Sequence, residues 1–314
     1  MSRKIDVRVE DLLACAFTAA LAVFAFGAFR SAPTSLGLDD TYWWDFSFIL
    51  APLSILVFTG AVRFAWGGDT ADRPSALASV GATIRDWLPF LVLLLTYETF
   101  RTGIWKVILV EDRDAELLRL DRRLFGETPA VLLQRFVTAG LSNAMAAFYF
   151  LHLVLPPVLA MLLYRRRRTL FREFLLAVLL AGCLGSIGYV LVPATGPVVA
   201  FPNLFAIPLN GGLYGPVTGI LDLARAPRDA FPSLHVGIST LVLWYGFRRS
   251  RATGLALLPL VLGNWVSTLY LRYHYLVDVF AGWLTAVFAA ALAGLLLGLE
   301  TRWKSRLGRG AVER

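Results

Sequence analysis

FPSLHVGISTLVLWYGFRRSRATGLALLPLVLGNWVSTLYLRYHYLVD, residues 231–278, is the stretch that decides the fold. It reads as two apolar runs folded back to back at the basic turn Arg248-Arg249-Ser250-Arg251, leading into a third run after Asp278. His235 stands at the entrance of the first run, behind Phe231-Pro232-Ser233-Leu234. Thirty-nine residues later, His274 opens the run that begins Tyr273-His274-Tyr275-Leu276-Val277-Asp278. The chain has 3 histidines in 314 residues. Two of them sit at helix entrances in a membrane, where a polar group is costly unless it has a task.

Working outward, the chain is 57% hydrophobic, with long apolar runs parted by arginine clusters. Soluble domains do not tolerate that pattern. Runs near the roughly 20 residues needed to cross about 30 Å of hydrocarbon predict spans at about 11–29, 46–66, 87–109, 141–164, 174–193, 234–247, 254–271 and 274–298. The fold class is therefore all-α: a polytopic integral membrane helical bundle of about eight transmembrane helices. Residues 1–85 read as two N-terminal transmembrane helices, 86–300 as a six-helix core and 301–314 as a basic tail.

Nineteen of the 30 Lys and Arg fall on one side of this arrangement: Arg3, Lys4 and Arg8; Arg63, Arg73 and Arg85; Arg165–Arg168 with Arg172; Arg248, Arg249 and Arg251; and the tail from Arg302. By the positive-inside rule that side is cytoplasmic, and both termini with it. The net charge of +8 thus reads as topology, with the membrane as partner and no nucleic acid. The Ala, Leu and Arg richness suggests a bacterial cytoplasmic membrane. Cys15 and Cys183 lie inside separate spans, which suggests neither a disulfide framework nor a thiolate metal site. The first span reads as a retained helix, because Asp6, Glu10 and Asp11 precede a run too long for a cleaved signal. No internal repeat divides the chain into inverted halves, which weakens a transporter reading.

His235 and His274 are separated by one span, a basic turn and another span, so both emerge on the same, extracytoplasmic side. The sixth span is short, about 20 Å from His235 to Arg248 at 1.5 Å per residue. His235 should lie below the outer surface, under the 194–232 loop. Asp278 follows His274 by four residues, so on a helix the two share a face. A carboxylate there can hold one imidazole nitrogen and leave the other free to attack, with His235 as proton carrier. The amides of Ser233, Leu234 and His235, at the start of the sixth span, would point at a bound anion. This constellation points to chemistry on a phosphate group.

Pro-Ser-Leu-His followed by a His-Tyr-x-x-Asp helix resembles the second and third motifs of the type 2 phosphatidic acid phosphatase superfamily, which includes the vanadium haloperoxidases. The resemblance covers about the last 180 residues and makes the six-helix core one of phosphatase type. It implies a covalent phosphohistidine mechanism without metal or other cofactor. His274 resembles the nucleophile, Asp278 its orienting partner and His235 the acid that protonates the leaving alkoxide; Ser233 would donate to a phosphate oxygen. Two elements depart from the pattern. The first motif, a lysine spaced seven residues from an Arg-Pro pair, is not found before Phe231; Pro193-Ala194-Thr195-Gly196-Pro197 stands near its place without a cation. Thr268 occupies the position after Ser267 where the family has arginine. The replacement cations on the correct side are Arg272, Arg228 and Arg225, in that order. The loss of the first motif, with Tyr270-x-Arg272-Tyr273-His274-Tyr275 and the earlier Asp121-x-x-Leu124-Phe125-Gly126, resembles the inositol-phosphorylceramide synthase branch. That implies transfer of a phosphorylated head group between lipids. The alternatives are hydrolysis of a lipid phosphate or polyprenyl diphosphate, and a lipid-binding or translocating protein that kept the fold without the chemistry.

The remaining polar residues have plainer readings. Residues 111–135 form a charged amphipathic stretch that reads as the solvated face of a connecting helix on the outer surface, broken at Gly126-Glu127-Thr128-Pro129. His152, beside Pro156 and Pro157, reads as a hydrogen-bonding residue of the bundle interior. Tyr97, Glu98 and Arg101 read as an internal polar step, and Asp39, Asp40 and Asp45 with Tyr42, Trp43 and Trp44 as part of an interfacial aromatic belt.

Overall fold

The computed structural model describes residues 8–31, 76–99 and 110–310. Among them there are helices and loops and no strand, so the chain is an all-α membrane bundle. Two compact units emerge, one drawn from residues 1–107 and 296–314, the other from residues 108–295. The predicted span at 46–66, the aromatic and acidic residues 39–45, and Arg101 lie outside the described residues, as does the Glu98 side chain.

In the first unit, α1 (Val9–Ser31) packs against α2 (Ala76–Thr99). Two ion pairs join them, Arg8–Asp86 at 2.7 Å and Arg85–Asp11 at 2.6 Å. These pairs explain a displaced boundary. The sequence predicts the third span from residue 87, with Arg85 in the cytoplasmic connection before it. The helix instead starts at Ala76 and carries both charges within it, Asp86 paired with Arg8 just before α1 and Arg85 with Asp11 in its first turn.

The second unit contains α3 (Asp114–Phe125), α4 (Ala139–Arg166), α5 (Arg168–Leu191), α6 (Tyr214–Ala224), α7 (Leu234–Arg249), α8 (Arg251–Tyr270) and the start of α9 (Leu276–Gly310). Helices α2, α4, α5, α8 and α9 are long and apolar enough to cross a membrane. Helix α9 continues well past the expected end near residue 298, with Lys304 reaching back to Glu300 at 2.6 Å. Helix α7 has only 16 residues and packs on α4, α5 and α8. Its short length follows from its caps. Ser233 Oγ accepts from the Val236 amide at 3.4 Å, and Ser250 Oγ, after the basic turn, accepts from the Thr253 amide at 3.1 Å to begin α8; serine is well suited to both places. The arginine turns at the ends of α4 and α7 share one end of the bundle. The start of α7, the end of α8 and the start of α9 share the other. At the arginine end Arg248 pairs with Glu173, which also accepts from the Tyr245 hydroxyl at 3.3 Å.

Helix α3 corrects the solvated reading of residues 111–135. Arg119, Leu120, Arg123 and Leu124 are exposed, but Asp114, Leu117, Leu118 and Asp121 form a buried inner face. The two carboxylates are buried because backbone donors need them. Asp114 accepts from the amides of Thr195 and Gly196, each at 2.9 Å, and from the Tyr275 hydroxyl at 2.9 Å. Asp121 accepts from the Leu276 and Val277 amides, both at 2.9 Å, and from the Thr128 hydroxyl at 2.8 Å. The orphan amides that open α9 are thus capped by a side chain 155 residues away. Beyond α3, Arg122 closes the Gly126 turn onto Glu127 at 2.8 Å and holds that carboxyl below the usual carboxylate range.

Helices α7 and α9 touch through glycine. A Cβ added at Gly282 would lie 2.4 Å from the Ser233 carbonyl oxygen and 3.3 Å from the Gly237 amide nitrogen. Gly282→Ala should therefore force the two backbones apart and cost about 1–3 kcal/mol. Asp121→Ala strands three donors and should cost at least about 2 kcal/mol. Thermal unfolding of the purified variants in detergent checks both, and wild-type midpoints would contradict this account of the packing.

Candidate active site

The starts of α7 and α9 bring His235 and His274 together: His274 Nε2 lies 3.3 Å from His235 Nδ1. The second imidazole nitrogen of His274, Nδ1, lies 2.9 Å from the Ala230 carbonyl oxygen and 3.5 Å from Asp278 Oδ2. A carbonyl only accepts, so Nδ1 carries the hydrogen and Nε2 keeps its lone pair. The donor to that lone pair is then His235 Nδ1. His274 is buried and His235 only partly so, which makes His235 the more accessible ring of the pair.

Asp278 reaches His274 by a route other than the one expected. His274 precedes α9, which starts at Leu276, so the two residues do not share a helical face. Asp278 Oδ2 instead accepts from the Tyr275 amide at 2.8 Å, folding the chain back over the first turn. Its other oxygen, Oδ1, is buried without a hydrogen-bond partner. The Asp278 main-chain carbonyl takes the Ser233 amide at 3.1 Å, tying one motif to the other. That bond corrects one further expectation: the Ser233 amide is already used inside the protein and does not point at an anion. The amides of Leu234 and His235, among the orphan donors at the start of α7, remain. Ser233 itself is fully buried and caps α7.

Behind His274 the chain is held by backbone bonds. The amides of Tyr273 and His274 both reach the Thr268 carbonyl, at 3.1 and 3.3 Å. The Thr268 hydroxyl, where the resemblance implies a guanidinium, turns back to the Trp265 carbonyl at 2.7 Å. Arg272 takes the left-handed backbone conformation, with φ of 67°. Its carbonyl accepts from the Val198 amide at 2.9 Å. Its guanidinium bonds the Ile207 carbonyl and lies 4.4 Å from the centre of the Phe205 ring. Arg228 is joined to Asp112 at 2.6 Å and to the Val110 carbonyl at 2.7 Å. Of the three candidate cations, Arg225 lies within electrostatic reach of both imidazoles, with its guanidinium 5.4 Å from the centre of the Tyr273 ring.

The sequence reading missed several residues that the fold brings here. Asp114 stands in a run of mixed charge, and Asp121 enters only through the Asp121-x-x-Leu124-Phe125-Gly126 resemblance, with no contact foreseen for either. The seven-residue interval between them, which puts both on one helical face, was the available signal. Ala230 acts through its carbonyl, which no side-chain pattern encodes. Tyr149 and His152 come from α4: the Tyr149 ring stacks on His235 at 4.5 Å and His152 meets it edge-on at 4.1 Å between centroids. His152 does have the interior hydrogen bond expected of it, to the Tyr149 carbonyl at 2.7 Å. Its place beside His235 was not foreseen.

No curated protein and no solved structure matches the chain. The family model of the PAP2 superfamily matches residues 115–292, more than half of the chain, from the second residue of α3 through both histidine motifs and into α9. A match of that length, taking in both motif histidines, shows that the chain belongs to the PAP2 superfamily of phosphatase-type membrane enzymes.

Proposed function

We propose that the protein transfers a phosphate-containing head group from a lipid donor to an alcohol acceptor, through a phosphohistidine formed on His274, at the extracytoplasmic face of the membrane. The observation that carries this reading is the pairing at His274. Nδ1 is held by the Ala230 carbonyl, and the lone pair of Nε2 faces His235.

In the first step Nε2 of His274 attacks phosphorus as the bond from phosphorus to the ester oxygen breaks. His235 enters this step as the imidazolium, gives its Nδ1 proton to the departing alkoxide and is left neutral, ready to act as base. The imidazole becomes cationic as the N–P bond forms, and the Ala230 carbonyl and the Asp278 carboxylate, both near Nδ1, stabilise that charge. In the second step His235 takes the proton of the acceptor hydroxyl while its oxygen attacks phosphorus. The N–P bond breaks and His274 returns neutral. Because the two imidazoles are in contact at 3.3 Å, the phosphoryl group must replace their hydrogen bond to come within attacking distance, about 3–3.5 Å.

Charge supports a diester donor. A phosphoryl transition state needs positive charge around its equatorial oxygens. We assign that role to Arg225, with the Leu234 and His235 amides beside it, since Arg228 and Arg272 are engaged elsewhere. With one guanidinium set against the Asp229 and Asp278 carboxylates, which both act on His274, the single negative charge of a phospholipid diester suits the site better than the double charge of a monoester. Arginine clusters at the opposite end of the same helices support the extracytoplasmic assignment. Hydrolysis is the same chemistry with water as the acceptor.

Two outcomes are expected of purified protein in mixed micelles. Turnover falls about 10⁴-fold or more in His274→Ala, and full turnover by that folded variant would end the phosphohistidine mechanism. A new phosphorylated lipid forms when a ceramide or diacylglycerol acceptor is added, with phospholipid diesters consumed faster than phosphatidic acid. Release of free phosphate from phosphatidic acid, with no acceptor-dependent product, would make the protein a hydrolase instead.

A further inference from the structure

Helix α4 contributes two side chains to the site that neither histidine motif contains. Tyr149 and His152 are three residues apart and lie on one face of the helix. Both point at His235. The Tyr149 ring covers one face of that imidazole, with centroids 4.5 Å apart and planes 30° from parallel. His152 closes the adjoining side edge-on, at 4.1 Å and 71°. His235 Nδ1 meets His274 Nε2.

His152 is itself fixed. Its Nδ1 lies 2.7 Å from the Tyr149 carbonyl, which accepts, so Nδ1 carries the hydrogen and the ring cannot turn without breaking that bond. The two α4 rings also meet each other edge to face at 5.3 Å. Together they form a corner into which the His235 ring fits. An imidazole has a broad, roughly two-fold rotation about its last side-chain bond. A single stacking partner fixes the plane of the ring but lets it slide. The second, perpendicular contact removes that freedom.

We propose that His152 is a positioning residue for phosphoryl transfer: acting through the ring of His235, it keeps His235 Nδ1 directed at the reactive nitrogen of His274. The inference rests on the phosphohistidine reading for its catalytic consequence, though not for the placement of the rings. Tyr149 supplies the stacking face and His152 the stop. A misplacement of about 1 Å in a proton carrier costs on the order of 100-fold in rate, so loosening this corner affects turnover more than substrate binding.

Because the chain has 3 histidines, the full-length protein labelled with ¹⁵N in its imidazoles presents three side-chain systems to NMR. In His152→Ala the His235 resonances should shift and broaden, and in His152→Phe, which restores an aromatic edge, they should return toward the wild-type pattern. Turnover should drop about 10- to 100-fold in His152→Ala with KM within about threefold of wild type. It should recover in large part in His152→Phe. In a His235→Ala background, His152→Ala should cost nothing further, since the two would act as one unit. If His152→Ala does not fold, His152→Leu fills the volume without a ring and carries the same expectations. Unchanged His235 resonances, unchanged turnover per folded molecule, or an additive loss in the double variant would each overturn the proposal. If His274→Ala remains active, the phosphohistidine reading fails by itself, and the NMR comparison still decides whether His152 holds His235.

Discussion

Buried carboxylates accepting from backbone amides are the interaction on which the site depends. A helix that starts at the end of a membrane bundle exposes orphan amides where water is scarce, and each one left without a partner costs about 1–3 kcal/mol. Asp121 takes two of them at the start of α9, Asp278 takes the Tyr275 amide, and Asp114 takes the Thr195 and Gly196 amides together with the Tyr275 hydroxyl. The segment just after His274 is thereby fixed by the carboxylates, while the Thr268 carbonyl holds the Tyr273 and His274 amides. An exposed ion pair such as Arg113–Glu116, at 3.5 Å, contributes little by comparison. The buried acids hold the segment that carries His274, while the exposed charges of α3 face outward.

Backbone proximity is the second constraint, and it explains the small residues near the motifs. Gly282 lets α9 approach the Ser233 carbonyl, and a Cβ at Gly196 would lie 2.2 Å from the Tyr273 carbonyl oxygen. Gly196 also has φ of 87°, a conformation that a side chain disfavours. The Pro193–Pro197 turn, where the resemblance implies a phosphate-binding cation, thus serves as a packing element here. It is pressed against the residue before His274 and held by Asp114.

The parts legible in the sequence were those governed by local pattern. Hydropathy gave the membrane helices of the second unit to within a few residues at most ends, and it marked α7 as short. It misplaced the start of α2, where charges at positions 85 and 86 are neutralised by partners distant in sequence. The two motifs identified His235, His274 and Asp278 by type and order. Whatever depended on contacts between distant segments was illegible: the burial of Asp114 and Asp121, the role of the Ala230 carbonyl, and the engagement of Arg228 and Arg272 away from the imidazoles. The placement of His152, 83 residues before His235, belongs with these. An isolated polar residue in an apolar helix shows only that it has a partner, and the partner's identity depends on how α4 crosses α7.

The contact between His235 and His274 also bears on selectivity. In a largely dry site, the Nε2 lone pair and the Nδ1 hydrogen would each be costly to leave unmet; joined to each other, neither is. A ligand that separates them must satisfy both at once, offering an acceptor to His235 and an electrophilic centre to His274. A phosphate ester does this with one tetrahedral group, whose oxygen accepts from His235 while its phosphorus meets Nε2. A single water can offer hydrogen bonds to both nitrogens but brings no electrophilic centre to Nε2. In the mechanism proposed above, the resting hydrogen bond keeps the Nε2 lone pair occupied until a phosphoryl group displaces it, and the two rings must part to admit that group.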